Sequence, residues 1–189
     1  MEEKARSVEK RLIRHFATRD PFRIAEALGI QIRFVELTHQ KGFCRYILRN
    51  FFIFINSNLS REMQRMTCAH ELGHILLHRD YLIDHQILLE MDTYDPKNRT
   101  EYEANQFAAN LLIDENELKE QLNEGLELNQ LSALFDINEN LLILKLEEMK
   151  KSGIPIQLSF LPKRTFMGTI KDSDLEPGIS RSQLYNNPL

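Results

Sequence analysis

The string CAHELGHILLH, residues 68 to 78, decides how this chain reads. Residues four apart on a helix share a face, roughly 5 to 6 Å apart at Cβ, so His70 and His74 can aim two imidazoles at one ion. From Met66 to Leu77 the one formally charged side chain is Glu71, set among Met66, Ala69, Leu72, Ile75, Leu76 and Leu77. That pattern predicts a helix buried on most sides. A lone carboxylate in such surroundings is costly unless paired or neutralised, and an adjoining metal site is a partner that justifies it. The alternative is two hydrogen-bonded core histidines beside an incidental surface glutamate. Composition alone would produce an HExxH string in roughly one of fifty such sequences, before asking that it fall on a helix.

Two histidines are too few, because catalytic zinc usually takes three protein ligands. A third histidine in the pattern HExxHxxGxxH is excluded, since Leu77 stands at the glycine position and Asp80 at the last histidine. The other common solution is a glutamate on a following helix, and the helix expected from Thr100 offers Glu101 and Glu103. Thr100 and Glu103 have the spacing of a capping box, which would occupy Glu103. Glu101 lines up with Ala104, Asn105, Ala108 and Leu112, a face of mostly small residues that lets another helix approach closely. The expected site is therefore His70, His74 and Glu101 as zinc ligands, with Glu71 as general base for peptide hydrolysis. Asn105 could orient a ligand from behind. Tyr94, Tyr102 and His85 are candidate oxyanion donors with nothing to choose between them, and His78 reads as a histidine stabilising the end of its helix.

Around this centre the chain reads as α+β. Residues 2 to 16 form an amphipathic helix, Asp20 and Pro21 start a second that ends near Gly29, and β-branched and aromatic runs at 30–37 and 43–55 give a small three-stranded sheet. Arg49-Asn50 is the expected hairpin turn, and Asn58 or Ser60 caps the HELGH helix. Residues 79 to 98 read as a polar loop, Asp114 caps a further helix, and two more fill 126 to 151 with a break near Asp136. The expected divisions are a metallopeptidase domain at 1–125, a helical extension at 126–153 and an irregular tail at 154–189.

With 42% hydrophobic and 28% charged residues, the chain has the composition of a folded soluble protein. Its net charge of -4 argues against a general nucleic-acid footprint. The charged start MEEKARSVEK lacks a signal-peptide core and no run approaches a membrane span, so the expected compartment is the cytoplasm. Cys44 and Cys68, without CxxC spacing, indicate neither a disulfide framework nor a thiolate metal site.

The stretches DPFRIAEALGI (20–30), IFIN (53–56), CAHELGHILLH and EYEANQFAANLL (101–112) together resemble the ImmA/IrrE family of zinc metallopeptidases. The resemblance implies a minimal zincin-like domain followed by a helix-turn-helix-like helical segment, with the third zinc ligand at Glu101. It also implies a role: cleavage of a partner regulatory protein, a helix-turn-helix repressor of a mobile element or prophage, acting as an anti-repressor. The alternative is a non-proteolytic, metal-bound module that binds or sequesters a transcription factor. The segment LNQLSALFDINENLLILKLEEM (128–149) has a helix-break-helix pattern, but from Asp114 to Lys151 ten acidic residues face four basic ones. Core packing or partner binding is the expected role there, with no direct contact to nucleic acid and none to membrane.

Overall fold

A computed structural model describes residues 2–85, 96–154, 156 and 175. The order is α1 (Glu2–Phe16), α2 (Pro21–Ala27), β1 (Gln31–Val35), β2 (Gly42–Ile47), β3 (Asn50–Asn56), α3 (Arg61–Leu77), α4 (Arg79–His85), α5 (Pro96–Leu112), α6 (Glu115–Asn123), α7 (Leu128–Phe135) and α8 (Glu139–Lys151). This is the α+β, zincin-like arrangement the sequence implied. Most of the expected tail at 154–189 lies outside the described residues. Leu175, which is described, makes an isolated antiparallel bridge with Leu59.

The sheet has the order β1-β3-β2, with β1 parallel and β2 antiparallel to β3. Its register pairs Cys44 with Ile53 and Ile32 with Ile53, so these side chains share the face that meets α3. The hairpin turn falls at Leu48-Arg49, one residue before the expected position, because Ile47 and Asn50 close the ladder. Both turn residues have positive φ, 49° and 66°, as the twist of a two-residue hairpin requires. Asn56, fully buried, donates its amide to the carbonyls of Leu37 at 2.7 Å and Gln40 at 3.1 Å, tying down the β1–β2 connection.

Ser60, one of the two candidate caps for α3, accepts from the Met63 N–H at 3.2 Å. Asp20 and Asp114 cap α2 and α6 in the same way, as expected. Two local expectations are overturned. Arg79–His85 is helical, and α5 begins at Pro96, so Thr100 lies inside that helix and forms no capping box. Residues 86–95 lie outside the described residues.

The packing centre is the crossing of α3 and α5, both buried along their facing sides. Arg19 locks the far end of α5. Its guanidinium donates to the carbonyls of Asn110 and Leu111 at 3.0 and 3.1 Å and pairs with Asp114 at 2.6 Å, satisfying acceptors that the helix terminus leaves open. α7 ends at Asp136, whose φ of 52° breaks the chain before α8. Residues 141 to 149 of α8 are all buried. Asn110 of α5 donates to Glu148 at 2.8 Å and accepts from Lys145, binding α8 to α5. The would-be reading helix of a DNA-binding motif is thus a core helix, in agreement with its charge.

Candidate metal centre and family

α3 presents His70 and His74 one turn apart, 1% and 3% exposed. α5 brings Glu101 to them, with its Oε2 3.2 Å from His70 Nε2 and its Oε1 3.2 Å from His74 Nε2. The two Nε2 atoms are 2.9 Å apart. One ligand atom from each of the three residues lies within 4.8 Å of the others, and among the described residues this is the group able to hold a metal ion. Two nitrogens bound tetrahedrally at about 2.05 Å would stand roughly 3.3 Å apart, close to the spacing found.

The approach of the two helices rests on Gly73. A Cβ there would lie 3.0 Å from Phe107 Cδ1 and 3.2 Å from the Ala104 Cα and carbonyl oxygen. The small-residue face read along Glu101, Ala104 and Ala108 therefore does what its pattern predicted. Glu103, which the sequence reading set aside as a capping residue, is set aside for another reason. It pairs with Arg99 at 3.0 Å and lies 3.7 Å from His78 Nε2, one further turn along α3.

His70 Nδ1 donates to the Asn105 amide oxygen at 2.8 Å; with that bond kept, the neutral ring would offer an Nε2 lone pair to a cation, whereas the protonated ring donates from Nε2 to Glu101. Nε2 faces a carboxylate oxygen and a second imidazole nitrogen. Burial works to raise the Glu101 carboxyl, but hydrogen bonding and charge from His70 and His74 outweigh it and hold the group well below the usual carboxylate range. An anionic oxygen with converging imidazole nitrogens is a donor set suited to a borderline cation such as zinc.

Glu71 is 4% exposed and stands outside the converging triad. Cys44 of β2 lies beside it. Burial, then the Glu71 charge, pushes the Cys44 thiol up, so it remains protonated beside the carboxylate. Sequence reasoning missed this contact. Strand alternation turns Cys44 inward, but nothing in the string names the helix residue it meets. Both cysteines are free and buried, as expected. Of the oxyanion candidates, Tyr94 and the His85 side chain lie outside the described residues. The Tyr102 hydroxyl accepts from Gln106 and Lys151, both at 3.3 Å.

Residues 25–147 match a peptidase family model described as the IrrE N-terminal-like domain. The chain belongs to the ImmA/IrrE family. The match encloses α3, α5 and all four residues named for the site. The chain is also similar to a Bacillus phage phi105 protein named "Uncharacterized immunity region protein 2". The two are 32% identical over 146 residues, covering 75% of this chain and 89% of the phage protein. Family membership and the His70–His74–Glu101 cluster together support a protease-like role. Among the described residues, no helix is long and apolar enough to cross a membrane.

Proposed function

We propose that this member of the ImmA/IrrE family is a zinc-dependent endopeptidase that hydrolyses a peptide bond in a helix-turn-helix repressor of a mobile element or prophage. His70, His74 and Glu101 would hold the zinc. The observation that carries this reading is the convergence of an imidazole held by Asn105, a second imidazole and a carboxylate at mutual distances of 2.9 to 3.2 Å. Without a cation or a shared proton, such acceptors repel one another.

When bound, zinc supplies Lewis-acid polarisation of the attacking water and the scissile carbonyl. Glu71 takes the water proton and returns it to the leaving amine. Cys44 lies beside Glu71 on the sheet side, and Asn105 holds the His70 ring. The immunity-region name of the phage relative supports a regulatory protein as substrate and the cytoplasm as the place of action. Residues 1–125 form the catalytic unit in this reading, 126–153 a helical extension and 154–189 a tail.

The test is metal analysis and co-incubation with the repressor encoded in the same region. Glu71→Gln should retain zinc while cleavage falls by about two to four orders of magnitude. Unchanged cleavage by that variant sinks the mechanism. Relief of repression in cells by Glu71→Gln would favour the non-proteolytic, repressor-sequestering role.

A further inference from the structure

The sheet has a second face. Alternation along the strands turns Phe43, Phe52 and Phe54 away from α3, with Arg33 and Arg45 beside them in register: Phe43 opposes Phe54, Arg45 opposes Phe52 and Arg33 opposes Phe54. The rings stack at 4.7 Å between Phe43 and Phe54 and at 6.0 Å between Phe52 and Phe54. Arg45 lies over Phe43 at 5.2 Å and Arg33 over Phe52 at 6.0 Å. Helices meet the other face, where α2 brings Phe22 to Phe34 and α4 brings Arg79 over Phe51. The patch runs on to the hairpin tip, where Ile47 is 37% and Leu48 88% exposed.

Cross-strand aromatic pairs stabilise a sheet by themselves, and stacking needs no partner. The hydrogen-bonding capacity of the arginines is what these ring contacts leave unused. The outward positions of the three strands carry no carboxylate. Among the described residues, Arg33 donates within its own strand, to the Ile32 carbonyl and the Gln31 side chain. Arg45 Nε is buried without a hydrogen-bond acceptor among the described residues. A buried guanidinium nitrogen without an acceptor calls for one, and a carboxylate matches its fork. Aromatic residues and arginine are also the types enriched at protein interfaces.

We propose that this outer sheet face docks a partner protein through a segment that presents carboxylates among apolar side chains, with Arg45 as the anchoring cation and the phenylalanine stack as the apolar floor. The chain's net charge of -4 weighs against single-stranded nucleic acid as occupant of an aromatic platform with two arginines. The proposal is independent of the metal site, which lies on α3 and α5, so either can fail alone.

The test is fluorescence anisotropy of the full chain with a short labelled peptide that alternates glutamate with phenylalanine and leucine. Its lysine-for-glutamate counterpart and an oligothymidine serve as rival probes. The acidic peptide should bind saturably, and Arg45→Gln should weaken it about tenfold. Arg23→Gln, on α2 with its side chain 77% exposed, should leave binding unchanged. Arg33→Gln provides the same reading if Arg45→Gln does not fold. No saturable binding, equal binding of the basic peptide, or insensitivity to both substitutions overturns the proposal. Preferential binding of oligothymidine overturns it in favour of nucleic acid. Self-association of the wild type that Arg45→Gln abolishes overturns it in favour of a second copy.

Discussion

Gly73→Ala tests whether the approach of α3 to α5 sets the metal centre. The added methyl would meet Phe107 Cδ1 at 3.0 Å and Ala104 backbone atoms at 3.2 Å. Carbon atoms rest at about 3.5 to 4.0 Å, so the helices must part by roughly half an ångström unless Phe107 and the α5 backbone both yield. Overpacking of this kind costs about 1 to 3 kcal/mol, while alanine in place of glycine returns up to about 1 kcal/mol of helix propensity. The net loss of stability is therefore modest, about 0 to 3 kcal/mol, and the variant should fold. The site is less tolerant. His70 lies one turn before Gly73 and Glu101 one turn before Ala104, so the strain falls between the ligand atoms now 3.2 Å apart. Ligand distances must hold to about 0.2 Å, and zinc affinity should fall by at least about tenfold. Denaturant unfolding and chelator competition, run on one preparation, separate the two effects. A folded Gly73→Ala protein with unchanged zinc affinity would refute the argument that this contact positions Glu101.

Asn105→Ala removes the acceptor 2.8 Å from His70 Nδ1, and zinc affinity should drop about 10- to 100-fold with the fold retained; circular dichroism with chelator competition checks both, and full affinity would deny Asn105 an orienting role. Glu9, 5% exposed, has its pKa pushed up from 4.5 to about 7 by burial, against the opposing charges of Arg19 and Lys145. The folded state then binds the proton more tightly than the unfolded chain, so this contribution to stability is complete below about pH 4.5 and is lost as pH rises to about 7. Glu9→Gln should thus gain stability relative to wild type between about pH 5 and pH 8, by at most about 3 kcal/mol, and a difference that stays flat or reverses in paired denaturant titrations contradicts the burial argument.

Local chemistry was legible wherever it is written in neighbouring residues. The i,i+4 spacing put His70 and His74 on one face, Asp20, Asp114 and the pair Asn58 or Ser60 announced their helices, and the β-branched and aromatic run at 43–55 announced the hairpin. The small-residue face along Glu101 and Ala104 showed that a helix would come close there. The start of α5 was not legible, because Thr100 and Glu103 have capping spacing in a stretch where the helix already runs from Pro96. Propensity could not register that the first turns of α5 precede it. The turn was misplaced by one residue because Leu48 and Arg49 adopt positive φ without a glycine or asparagine to mark it.

The sequence by itself determined the candidate ligand types, their helical spacing and the absence of the HExxHxxGxxH pattern, since these depend on residues within two turns of each other. Only the tertiary structure brought Glu101 within 3.2 Å of both imidazoles, set Cys44 against Glu71, and left Arg45 Nε, on an outward sheet face, without an acceptor among the described residues. Each of these depends on contacts between segments far apart in the chain. Their geometry follows from how closely Gly73 lets α3 and α5 pack and from which side of the sheet the helices cover.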